Sequence, residues 1–287
     1  MIPSILLDIG LGFVSHALAA CSRETLQNAT AAYVQAQTAG NPGLLDLASN
    51  VSYAENDTPL DIKQGVLSQP ITIDFSRSLH DTVQCATFTE LTAATSKHPY
   101  VIHTRMLLDN SDTTTPNNTN NNNHSSSQIT HIESVVTDAG DWAFNATGHL
   151  YWTRRETWDA IAASARDARA TIQAAADAYL DEWANTSVAV PLGTPCARLE
   201  GGIYSGTRDP AANTCAMPAF PTPLHVGNRR YVIDEELGAV DVFDGFPWIE
   251  RTEPDRSMPS SNLIRVEKGK IRYIHELTVC ATPNCGR

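Results

Sequence analysis

Two strand-like segments carry the side chains best suited to acid–base chemistry. In residues 271–279, IRYIHELTV, a period of two places Ile271, Tyr273, His275, Leu277 and Val279 on one face and Arg272, Ile274, Glu276 and Thr278 on the other. The first face is the more apolar, so His275 is expected to sit among hydrophobic groups lining a cavity, where an imidazole can take or give a proton near neutral pH. In residues 231–243, YVIDEELGAVDVF, Val232, Asp234 and Glu236 share a face opposite Tyr231, Ile233 and Glu235. Desolvation raises a carboxyl pKa, which makes Asp234 the candidate donor of a proton to a departing hydroxyl. A lone His or Asp on a strand is nevertheless more often a hydrogen-bonded or exposed residue than a catalyst.

Around this pair stand the candidates for holding a substrate. Arg198 and Glu200 in PCARLEGG read first as an ion pair bracing a turn, with Gly201 and Gly202 supplying backbone freedom. Tyr231, Tyr273 and Trp248 of GFPWIE offer aromatic surface, Trp248 at a cavity mouth. Trp152, Trp158 and Trp183 read as packing residues. No G-x-S-x-G elbow, H-E-x-x-H helix, phosphate loop or dinucleotide fingerprint occurs. The six cysteines form no C-x-x-C pair, so zinc is a poor reading and no metal or cofactor is expected.

The elements that must position these groups come in two similar sets. Ser22 can cap a helix whose apolar positions are Leu26, Ala29, Tyr33 and Ala36, and a second helix repeats the spacing at Ala168, Ile172, Ala175, Tyr179 and Trp183, preceded by a short helix over 156–163. NVSYAEN after the first and PCARLEGG after the second put Glu55 and Glu200 at comparable places. Strand patterns follow at 71–75, 100–108, 129–136 and 141–152, then at 231–243, 263–267 and 271–279, with KGK at 268–270 as a hairpin turn. PYVIHTRML (99–107) matched to RYVIDEELG (230–238) makes His103 the counterpart of Asp234. Ile129 matched to Ile271 makes Glu133 the counterpart of His275. A helix followed by antiparallel strands, written twice, predicts an α+β fold of two tandem domains, 21–152 and 153–287. Residues 110–128, NSDTTTPNNTNNNNHSSSQ, hold no apolar side chain and are expected to be a disordered loop.

Composition bounds the partners. The 287 residues carry a formal net charge of -12 with no basic cluster, which excludes a nucleic-acid footprint, and no later apolar run is long enough to span a membrane. Residues 1–20 read as an export signal ending in small residues before Cys21. Acceptor motifs for N-glycosylation at Asn28, Asn50, Asn56, Asn117, Asn123, Asn145 and Asn185, with an even number of cysteines, point to the secretory pathway. Six cysteines allow 15 connectivities. The pairing taken here is Cys196–Cys215 and Cys280–Cys285, leaving Cys21–Cys85.

NLIRVEKGKIRYIHELTVC resembles the paired C-terminal strands of the NTF2-like (SnoaL-like) cone, a helix-covered curved sheet enclosing a cavity for a small apolar ligand. Together with VPLGTPCARLEGGIYSGT and RRYVIDEELGAVDVF, it resembles a fungal family of secreted proteins described as a domain of unknown function, from Cys21 to the C-terminus. The chain departs from that family within RSMPSSNLIRV, where Ser261 or Asn262 stands in place of a histidine. Some members of the broader group are hetero-Diels-Alderases of tropolone-sesquiterpenoid biosynthesis. The resemblance implies a cofactor-independent enzyme that dehydrates a hydroxymethyl tropolone to an o-quinone methide and directs its [4+2] addition to a humulene-type sesquiterpene. The competing readings are a secreted binding protein for apolar small molecules and a single-substrate dehydratase or isomerase. Two cones in one chain can pair with each other as separate subunits do, or an exposed sheet face can recruit a second chain to give a homodimer.

Overall fold

A computed structural model describes residues 21–109, 127–218, 222–250, 253 and 256–285. Ser22 accepts a hydrogen bond from Thr25 N and starts α1 (Arg23–Ala39), which ends at Gly40 in the left-handed region. Five strands and a two-residue edge follow: β1 (Leu47–Glu55), β2 (Thr58–Pro59), β3 (Phe75–Asp81), β4 (Ala86–Ala93), β5 (Tyr100–Leu108) and β6 (Ile129–Thr137). After α2 (Ala146–Thr153) and α3 (Arg169–Glu182) the set recurs as β7 (Leu192–Glu200), β8 (Ile203–Tyr204), β9 (Gly227–Asp234), β10 (Ala239–Phe246), β11 (Met258–Glu267) and β12 (Lys270–Thr278). The sheet orders are β2-β1-β6-β5-β4-β3 and β8-β7-β12-β11-β10-β9, each with one parallel pair, β1 with β6 and β7 with β12. The molecule is therefore two similar α+β bodies, each a six-stranded mixed sheet.

Strand register fixes which residues are equivalent. Glu55 lies opposite Ser134 and Glu200 opposite Glu276, so Ser134 corresponds to Glu276 and, one residue back, Glu133 to His275. The matching of 99–107 to 230–238 is wrong: the first is β5, whereas the second is β9 with its turn, the equivalent of β3. Asp234 instead corresponds to Asp81, each paired with the first residue of the next strand, and His103 corresponds to Ser261. Alternating β-branched residues identify a strand, not its place in a sheet.

Other expectations also change. Residues 141–152 are a loop leading into α2, whose Asn145 caps it by accepting from Gly148 N; the closely spaced aromatics mimic a strand. No α-helix forms over 156–163; a short 3-10 turn at Ala163–Ala165 precedes α3. Only Phe75 of 71–75 is in a strand. β4 carries no exposed residue, so it lacks the alternation that would reveal it. The boundary at 152/153 falls in the last turn of α2.

α1 covers one face of the first sheet, burying Leu26, Tyr33 and Ala36 against Leu91, Ile102 and Met106. α3 covers the second sheet, with Ile172, Ala176 and Tyr179 against Val240, Ile264 and Ile274. The uncovered faces pack together through Leu79, Phe88, Val101 and Val135 from one sheet and Val232, Phe243, Leu263 and Leu277 from the other. Exchanged ion pairs lock this joint. Arg23 at the start of α1 grips Asp234 at 2.9 and 2.8 Å, and Arg169 at the start of α3 grips Asp81 at 2.7 and 2.6 Å. His80 N donates to Asp234 and Ile233 N to Asp81, repeating the exchange in the backbone.

Three disulfides, Cys21–Cys85, Cys196–Cys215 and Cys280–Cys285, fit an oxidising compartment. No helix among the described residues is long and apolar enough to cross a membrane. Asn28, Asn50, Asn145 and Asn185 are exposed. Asn56 instead donates to Val136 O and accepts from Val136 N, which removes its amide from the free surface. The export signal, Asn117, Asn123 and residues 110–126 of the expected disordered loop lie outside the described residues.

Candidate functional site

The second sheet separates two polar places of different character. On its α3 side is a cavity of about 190 Å³. Trp142, Trp183, Phe246, Trp248, Met217 and Ile249 supply most of its wall, and Arg198, Glu200 and Glu276 its polar residues. β7 runs parallel to β12, and their register sets Glu200 beside Glu276 with Arg198 one step back on the same face of β7. Arg198 binds Glu200 at 2.7 Å, as the spacing predicts, and its guanidinium also meets the Met217 sulfur. Trp248 has φ 69°, an uncommon backbone state for a bulky residue, at the point where its side chain helps wall the cavity.

Glu276 is the unusual group there. It is 3 % exposed, and its carboxyl accepts one hydrogen bond from Thr278 at 2.9 Å. Burial, then the nearby Glu200 carboxylate, push its pKa up to about 8, against the opposing pull of Thr278 and Arg198. The carboxyl therefore holds its proton at neutral pH and can donate it into the cavity. In the first half the equivalent positions are Tyr53, Glu55 and Ser134. Tyr53 is buried and donates to Glu55 at 2.5 Å, while Ser134 ends a hydroxyl chain from Tyr33 through Thr104. Only the second half sets a carboxyl group in the place of Ser134.

The period of two on β12 separates His275 from Glu276 as expected, but the cavity lies on the other side. His275 is fully buried between the two sheets, with Nδ1 2.6 Å from Glu90 Oε1 and Nε2 2.6 Å from Glu156 Oε2. Burial disfavours its charge, yet the Glu156 and Glu90 carboxylates overcome this and raise it to about 9. It is a buried imidazolium with both donors used. Asp234 is likewise not in the cavity, since Arg23 and the backbone N–H groups of His80, Glu236 and Leu237 occupy its oxygens. Tyr273 stacks on Trp158, and Tyr231 donates to Asp177 on α3. Of the seven candidates for catalysis or substrate contact, Arg198, Glu200 and Trp248 meet in the cavity.

The second polar place surrounds His275. Arg77 donates to Glu90 Oε2 at 2.8 Å and lies over the Trp158 ring, whose indole N–H donates to Glu156. Burial works against the Glu90 charge, but His275 and Arg77 hold this carboxyl well below the usual range. His103 and His149 complete the cluster, both fully buried. Glu90, Glu156, Arg77 and His149 have no local sequence signature, because only the fold brings them together. Glu276 had one: it faces away from His275 on a strand beside Glu200.

Residues 165–278, which span α3 and the whole second sheet, match a family described as a domain of unknown function (DUF8021). No curated protein and no solved structure matches the chain.

Proposed function

We propose that the second half binds a small, ring-shaped, largely apolar molecule and eliminates water from it by acid catalysis at Glu276, as the dehydrating step of a hetero-Diels–Alder reaction. In this reading each half is an NTF2-like cone, and the helix laid across a mixed sheet supports it. The observation that carries the chemistry is a buried carboxyl, its pKa pushed up to about 8, facing a cavity walled by three tryptophans.

The reaction needs a proton on a poor leaving group and a dry site. Glu276 gives its proton to the hydroxymethyl oxygen of a tropolone, the C–O bond breaks and water leaves. The ring hydroxyl loses its proton to the Glu276 carboxylate, which regenerates the acid and leaves a neutral o-quinone methide. Arg198, held by Glu200, is placed to hold the ring oxygens. Trp142, Trp183, Phe246 and Trp248 keep bulk water from adding back to the intermediate. The following [4+2] addition to a humulene-type alkene develops little charge and rests on orientation, which can contribute roughly 7–11 kcal/mol. A cavity of about 190 Å³ encloses one ring-sized partner, so the alkene lies at its opening. The disulfides and exposed glycosylation motifs support a secreted enzyme.

Purified protein mixed with a hydroxymethyl tropolone and a humulene-type alkene is expected to form one stereoisomer faster than boiled protein does. Glu276→Gln should slow dehydration by about 10²-fold or more while sparing addition of a pre-formed quinone methide. A Gln variant as fast as the parent would remove Glu276 from the chemistry. Tight tropolone binding without turnover would make the protein a carrier.

A further inference from the structure

The joint between the halves contains two histidine nitrogens that the proposed chemistry does not use. His103 on β5 and His149 on α2 are both 0 % exposed, and neither Nε2 has a hydrogen-bond partner among the described residues. Both converge on one oxygen, Glu90 Oε1, at 3.6 and 3.5 Å, too far for a hydrogen bond. The far nitrogen of each ring is held by a hydroxyl: His103 Nδ1 lies 2.8 Å from Ser261 Oγ and His149 Nδ1 2.9 Å from Thr92 Oγ1. Ser261 Oγ in turn lies 2.8 Å from Asp241 Oδ1, so both ends of this chain are buried. His103 Nε2 thus faces a carboxylate oxygen with no hydrogen bond between them, a gap that a cation bound to both would close.

The distances fit such a cation. Atoms bound at about 2.0–2.2 Å to one tetrahedral ion lie roughly 3.3–3.6 Å apart, which is the spacing of each Nε2 from Glu90 Oε1. All three donor atoms lie within 4.8 Å of one another, so a small inward turn of the rings closes the set. Hydroxyls on the outer imidazole nitrogens, Arg77 on Glu90 Oε2 and His275 Nδ1 at 2.6 Å on the second lone pair of Oε1 supply the orienting contacts that metal ligands require.

We propose that Glu90, His103 and His149 form a two-histidine, one-carboxylate site for a divalent first-row transition metal ion such as Zn²⁺ or Co²⁺, with the remaining position open to a small ligand. The ion ties α2 to β4 and β5 beneath the second sheet, on the opposite side of that sheet from the cavity. It is a structural pin, and its presence or absence is independent of the Glu276 chemistry.

The test uses the intact wild-type protein, stripped with a chelator and titrated with Co²⁺, then with Zn²⁺. One ion per chain should bind, the Co²⁺ visible bands should fade as Zn²⁺ displaces it, and Tm should rise by roughly 5 °C or more at a hundredfold excess over Kd. His103→Asn and His149→Asn should each lose the Co²⁺ bands, whereas His98→Asn on the surface and Glu276→Gln should keep them. Stripped wild-type protein that takes up no ion overturns the proposal whatever the variants do. So does an ion that folded His103→Asn or His149→Asn protein retains in full, or an X-ray absorption spectrum without imidazole ligands.

Discussion

Glu276 and His275 are chain neighbours that the sheet sends to opposite sides, and their pKa values move for different reasons. Glu276 gains its proton from burial and a nearby carboxylate; His275 keeps its proton because two carboxylates hold it. An acid catalyst works only while protonated. The rate of dehydration should therefore be flat at neutral pH and fall as pH rises through about 8, the value to which Glu276 is pushed. A pH–rate profile from 6 to 10, with denaturation monitored in parallel, checks this, and the falling limb should vanish in Glu276→Gln. Asp234→Asn separates the two assignments of the acid: it should cost stability through its Arg23 contact yet leave the dehydration rate of folded protein unchanged.

At the scale of elements, each helix is tied to the other half's sheet. Arg23 leaves α1 for Asp234 on β9, and Arg169 leaves α3 for Asp81 on β3. Both carboxylates are fully buried, whereas the arginines keep some solvent contact, 25 % and 23 %. Removing either arginine strands a buried charge, so Arg23→Ala and Arg169→Ala should each lose about 2–4 kcal/mol in urea unfolding, the solvent contact keeping the effect moderate. Because the pairs are equivalent, similar losses are expected. A near-zero change for one would show that the two locks are unequal. The same topology explains the misplaced repeat: β3, β5, β9 and β11 all have strand character, and only pairing register separates them.

For the whole molecule, the joined sheets bury titratable groups whose folded pKa values are displaced both ways. Glu276 and Asp244, raised by burial to about 8 and about 7, stabilise the fold fully below their unfolded values near 4.5 and 3.8, and that contribution is lost as pH rises through 7–8. His80 is lowered by burial to about 4 from 6.5, so its contribution is present above 6.5 and lost as pH falls toward 4. Glu133 is desolvated but hydrogen-bonded by His131 and Arg230, which bring it to about 2; its contribution disappears between 4.5 and 2. From 6.5 to 8 these two carboxyls and His275, raised to about 9 from 6.5, all lose part of their contribution, so Tm should be higher at pH 6 than at pH 8.5, and should fall again below pH 4. Thermal unfolding in a pH series measures this; a Tm that climbs from pH 6 to 8.5 contradicts the buried neutral carboxyls.

Local chemistry by itself made legible α1 with its Ser22 cap, α3, the strands β5, β6, β11 and β12, the doubled architecture and the Arg198–Glu200 ion pair, whereas the cysteine pairing was one choice among 15 that the fold decided. Each legible feature depends on periodicity or on close spacing. The alternation of β12 was also legible, including the separation of His275 from Glu276. What the fold alone decided was which side of that strand faces a cavity and which faces another sheet, because both sides are apolar enough to be buried. Tertiary packing likewise assigned Asp234 to Arg23 and gathered Glu90, His103, His149 and Glu156 from distant parts of the chain. Burial and long-range partners, not residue type, set the charge each of them carries.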